Sequence, residues 1–125
     1  MAETRILSLT ELLAAPNADE ITDVVELPDL GAVRIHAFSK AVHTHMLREA
    51  TAKDGRVDQD RMEILALVYG VAEPVLSEAD AERLRQKRWG GVQLLLNRIW
   101  GLSGMNAFGQ VSGEAVEKAE KAFPS

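Results

Sequence analysis

No cysteine occurs in the chain, which excludes disulfides, thiolate metal sites and cysteine nucleophiles together. Aromatic residues are scarce at 5%, so a core has to be built mainly from Leu, Val, Ile and Ala. Long apolar runs are missing as well. The strictly apolar stretches are a few residues each, far short of the ~20 needed to span a bilayer. The opening MAETRILSLTELLAAP lacks the basic start and apolar block of a signal peptide. These features lead one to expect an untargeted, soluble, cytoplasmic protein. A basic excess is also lacking. The net charge is -5, and phosphate neutralisation needs a net basic face, which weighs against nucleic acid as the main partner.

What is present suits one globular domain. The chain has 125 residues, 46% of them hydrophobic and 26% charged, too apolar for disorder. At this length roughly two-thirds of the unfolded surface is buried, so no staple is required. We read residues 1–125 as a single domain, divided into an N-terminal helix and loop (1–22), a β-hairpin (23–37) and a helical part (38–125). The charge is unevenly spread: residues 1–30 hold seven acids and one base, whereas residues 83–98 hold five bases and no acid.

Ser8-Leu9-Thr10-Glu11 has the spacing of a capping box and predicts a short helix over about residues 9–15, stopped by Pro16. Val24 to Leu27 and Ala32 to His36 are β-rich runs flanking Pro28-Asp29-Leu30-Gly31, the composition of a hairpin turn. From Ser39 the apolar period changes from two to about 3.6. Ser39 caps a helix to about Thr51 with Val42, Met46 and Ala50 as its stripe, and Lys53-Asp54-Gly55 breaks it. Asp58 to Tyr69 is predicted as a helix whose second half is apolar almost all round, the mark of a central element. Gly70 fits as its stop, and Glu73-Pro74 imposes an extended connection. Ser77 begins a charged helix to about Lys87, and Trp89 to Leu102 forms another with Val92, Leu95, Leu96, Ile99 and Leu102 at core spacing. A last amphipathic helix opens near Ser112. The expected fold is α+β and mostly helical: a short N-terminal helix and hairpin, then four to five helices, with Leu65, Val68, Leu95 and Ile99 buried.

Catalytic chemistry finds no foothold in these residues. His43 and His45 lie two apart on a helix, diverging by about 200°, so they cannot share an ion. No acid-rich motif accompanies them or His36. The carboxylates are scattered through loops and first helical turns, where they complement helix dipoles. Trp89-Gly90-Gly91 lacks the strand and glycine spacing of a phosphate loop. The expectation is a protein with no cofactor, no metal and no catalytic residues. The sharpest local feature is the basic segment Arg83, Arg85, Lys87 and Arg88 beside Trp89. Such a segment stabilises a helix C-terminus, binds a protein, or stacks on and neutralises nucleic acid. Trp100 follows eleven residues after Trp89, near three helical turns, which places both indoles on one face of a continuous helix, although burial of at least one of them is the expected outcome. These six residues are the candidate partner-binding set.

The order of elements carries a resemblance. SLTELLAA leads to ELPDLGAVRIHAFS, then to a charged helix and an apolar one ending in Val-Tyr-Gly-Val. Pro-Val-Leu-Ser-Glu-Ala-Asp precedes the next charged helix, and LLLNRIWGLSGM and SGEAVEKAEKAF close the chain. Over about residues 8–123 this resembles the tail assembly chaperones of long-tailed bacteriophages. It departs from their pattern at Val71-Ala72-Glu73-Pro74, where an Asp-Gly hairpin is common, and at Gly90-Gly91. The resemblance implies a phage or prophage protein of the bacterial cytoplasm, absent from the mature virion. It implies two partners: the tape measure protein, which it keeps soluble, and the tail tube protein, which it recruits. Many such chaperones also have a longer product made by a −1 ribosomal slip, and codons for Ala122-Phe123-Pro124 can supply one permitted slip site. The opposite charges of residues 1–30 and 83–98 favour head-to-tail self-association. Two alternatives stand beside this reading: a nucleic-acid-binding regulator using 83–88, and a generic helical adaptor subunit.

Overall fold

A computed structural model describes residues 5–28, 30–87 and 89–104, Trp89 in its backbone only. The helix expected from Ser112 and the Ala122–Pro124 segment lie outside the described residues. The elements run α1 (Leu9–Leu13), a 3-10 turn (Ala18–Glu20), β1 (Thr22–Leu27), β2 (Gly31–His36), α2 (Lys40–Ala50), α3 (Gln59–Gly70), β3 (Val71–Glu73), α4 (Glu78–Arg85) and α5 (Trp89–Leu102). The fold is α+β and mostly helical. Among the described residues, no helix is long and apolar enough to cross a membrane.

Helices α1 to α4 each start where a short polar side chain satisfies orphan backbone donors. Ser8 and Glu11 cap each other reciprocally at 3.2 Å in both directions. The Ser39 hydroxyl accepts from the Val42 amide, and the Asp58 carboxylate accepts from that of Arg61. Ser77 and Asp80 close a second capping box.

β1 and β2 pair antiparallel from Thr22↔His36 to Leu27↔Gly31. Val25, Leu27, Val33 and Ile35 therefore face one side, and α5 covers it. The α5 stripe Leu95, Leu96, Ile99 and Trp100 is fully buried there, with Val92 and Leu102 half-buried at its ends. Burying a side chain of this size is worth ~2 kcal/mol, so the strip anchors the domain. At its C-terminal end, Trp100 meets Phe38 edge to face, ring centroids 5.4 Å apart. Ser103 fixes the same corner: its hydroxyl accepts from the Phe38 amide and donates to the Ile99 carbonyl, both at 2.9 Å.

α3 is the central helix its composition predicts, packing against α2, α4, α5 and β3. Three features differ from the sequence reading. Residues 71–73 are not only an extended connection: β3 adds a third strand, pairing antiparallel with β2 through Arg34↔Glu73 and Ile35↔Val71. Three residues carry too little alternation to announce a strand, and its pairing is imposed by tertiary packing. Gly70, read as a helix stop, is instead the last helical residue. A Cβ there would lie 2.5 Å from Cγ2 of Ile99 and 2.9 Å from its Cδ1. The glycine lets α5 press directly on the α3 backbone. Val68, expected in the core, is only half-buried.

Because Ile99 is itself fully buried, it has nowhere to yield. Gly70→Ala is predicted to destabilise the fold by about 1–3 kcal/mol, an overpacking cost. Gly70→Ala with Ile99→Ala should cost less than the sum of the two single changes in chemical denaturation. Strict additivity would show that the close approach carries no strain.

Candidate partner-binding surface

The basic segment divides into structural and surface charges once placed on the fold. Arg85 is largely buried in an acidic pocket formed by α3 and α4. Its guanidinium lies 2.9 Å from Asp60, 3.2 Å from Glu63 and 3.8 Å from Glu82. Arg61 adds a second tie from α3 to α4 through Glu78 at 2.5 Å. Arg85 thus serves the α3–α4 contact and is not a free cation for a partner. Arg83 and Lys87 are exposed, and among the described residues neither forms an ion pair. Arg83 lies near Asp80, whose carboxyl is held below its ordinary value first by the Ser77 amide, then by the Ser77 hydroxyl, with Arg83 adding a smaller attraction. Arg88 and the Trp89 side chain lie outside the described residues.

Trp100 is a candidate for a partner-facing surface shared with Trp89, with burial of at least one of the two indoles the expected outcome. Its side chain is 2% exposed and sits on Phe38, so it belongs to the core and offers nothing to a partner. With few aromatics available, the fold spends this indole on the corner between α5 and the end of β2.

The histidines do not converge. His36 Nδ1 lies 3.0 Å from the Ala37 carbonyl, while His45 stands edge-on to Tyr69 and 3.3 Å from Glu49. Among the described residues no three His, Asp or Glu side chains gather as a metal site.

The feature most suited to binding is apolar and was not singled out from the sequence. A cleft of about 280 Å³ opens between the β1–β2 turn, α4 and the first turns of α5. Leu27, Pro28 and Leu30 form one wall, and Leu84, Val92 and Leu95 form the other. Gly90 and Gly91 line it, and a Cβ on either would meet nothing within 4 Å. Among the described residues, Lys87 is the one charged side chain lining it. Helical glycine without a positive φ is disfavoured by up to about 1 kcal/mol against alanine. Among the described residues nothing requires either glycine for packing, and both keep the cleft open. Leu30, 85% exposed, stands at its mouth.

A second apolar surface lies at the N-terminus. No residue of α1 is buried; Leu9 is 71%, Leu12 59% and Leu13 73% exposed, and Ile6 just before them 90%. The capping box predicted a helix here, and the helix forms, but the chain's own core does not cover it. No protein-family model, curated protein or solved structure matches the chain.

Arg85→Ala is predicted to lower stability by about 1–2 kcal/mol, more than an exposed ion pair contributes, because it leaves three acids facing each other. Arg83→Ala and Lys87→Ala should each stay within about 0.5 kcal/mol of the parent. Equal losses for all three in urea melts would contradict this division.

Proposed function

We propose that this chain is a non-enzymatic tail assembly chaperone that holds a tape measure protein in solution and helps recruit tail tube subunits. The observation that carries the reading is the apolar cleft between the hairpin turn and α5. Its shape and lining suit the apolar face of an amphipathic helix, the helix-in-groove mode of recognition. A long, largely helical client offers many such faces, and leaving them exposed drives aggregation. Lys87 lining the cleft and Arg83 in the same basic segment favour client segments carrying acids beside their apolar stripe. The order of sequence elements shared with the phage chaperones supports the same role, which would be exercised in the host cytoplasm and end before the virion is complete.

The commitment of Arg85 to Asp60, Glu63 and Glu82 weakens the nucleic-acid alternative, since it removes one cation from an already short basic segment. Co-expression with a tape measure protein should move that chain from the pellet to the soluble fraction. The complex should survive roughly 0.5 M salt, at which exposed ion pairs are screened and apolar contacts are not. A tape measure chain that stays insoluble, or a tight DNA or RNA complex that collapses as salt rises, would overturn the proposal.

A further inference from the structure

Alanine is the better helix former, so a glycine inside a helix calls for a reason. At Gly70 the reason is internal, because Ile99 stands where a Cβ would go. Gly90, Gly91 and Gly101 of α5 have no such reason among the described residues. A Cβ on any of them meets nothing within 4 Å, and none of the three has a positive φ. Gly101 sits near the far end of α5 and does not line the cleft. Gly90 and Gly91 are adjacent, and both line it. The open space beside these two is the cleft itself, walled by Leu27 and Pro28 on one side and by Leu84, Val92 and Leu95 on the other.

The size of that space says what it admits. An apolar cavity of roughly 150 Å³ holds a benzene ring. The cleft measures about 280 Å³, so one aromatic ring or branched aliphatic group fits against the α5 backbone. Methyl groups at 90 and 91 would take up part of that room. We propose that Gly90 and Gly91 are specificity-determining residues of the cleft. The two missing Cβ atoms set its depth, so that it takes one large apolar side chain from the client helix. The inference rests on the helix-in-groove reading of the cleft and adds to it the size of the anchor. In exchange for helix propensity at two neighbouring positions, the chain gains a deeper site, a stability–binding trade-off.

The test measures binding and stability together on the full chain. The probe is a fluorescently labelled amphipathic peptide of about 16 residues, long enough to form a helix. It carries a leucine stripe flanked by glutamates, with one guest position at the centre of the stripe filled by Ala, Leu or Trp. By fluorescence anisotropy the parent should bind the Leu and Trp guests at least about tenfold more tightly than the Ala guest. Gly90→Ala combined with Gly91→Ala should weaken the Leu and Trp guests about tenfold and leave the Ala guest within about twofold, so the size preference collapses. Gly101→Ala adds the same methyl outside the cleft and should bind every guest as the parent does. In urea both variants should unfold at or above the parent's midpoint, because alanine favours the helix and restricts the unfolded chain. A parent that binds no guest or all three alike would overturn the assignment. So would a double variant that keeps the size preference, or one that unfolds well below the parent. Co-expression separates this result from the wider reading. If the parent leaves the tape measure protein insoluble yet shows the peptide pattern, the chaperone reading falls and the glycine assignment stands. If the double variant solubilises the tape measure protein and binds every guest as the parent does, the glycine assignment alone falls.

Discussion

The approach of Ile99 onto the backbone of Gly70 is the contact around which the domain is arranged. Only a residue without a side chain permits it, since a Cβ would sit 2.5 Å from Ile99 Cγ2. With α5 held that close to α3, the strip Leu95, Leu96, Ile99 and Trp100 fills the space between α3 and the inner face of the hairpin. β3 follows Gly70 directly and must pair with β2, which turns the hairpin into a three-stranded sheet. The C-terminal half of α5 is then locked by Trp100 and Ser103 against the segment after β2. Its first turns run past the core beside the hairpin turn, where Gly90 and Gly91 leave open space.

This division explains why a small domain finishes its core yet keeps apolar surface exposed. Among the described residues the buried set runs from Val25 to Trp100 and contains no buried polar or charged side chain. α1 contributes nothing to it. A helix of five residues is not stable on its own in water, because nucleation outweighs the few bonds gained. Its Ser8–Glu11 capping box offsets part of that cost. The basic segment is similarly divided between Arg85, which holds α3 to α4, and Arg83 and Lys87, which remain at the surface near the cleft.

Local signals in the sequence located most of the fold. Ser8, Ser39 and Ser77 each mark a helix start, and the change from alternation to helical periodicity after Ser39 separates hairpin from helices. The all-round apolar stretch from Ile64 identified α3 as central. What was not legible depends on contacts distant in the chain. Gly70 reads as a stop in isolation because glycine commonly ends helices, whereas its role is fixed by Ile99, far along the sequence. β3 has no pattern of its own, and its strand character comes from Arg34 and Ile35. Trp100 and Arg85 looked available because side-chain type suggests binding, but burial on Phe38 and the acids of α3 claim them. The cleft draws on three separate stretches of chain and has no sequence signature. A pair of glycines in a helix that needs no positive φ was the one local hint of it.

The central claim is that the core closes without α1, leaving that segment uncovered and the cleft beside α5 open to another chain. Native-state hydrogen exchange on the dilute monomer tests it most directly. The account predicts that amides of Gln59–Gly70 exchange only through global opening, whereas those of Leu9–Leu13 open at less than about 1 kcal/mol. Strong protection of Leu9–Leu13 in the dilute monomer, matching that of α3, would show that the chain covers its own N-terminal leucines and would contradict the account.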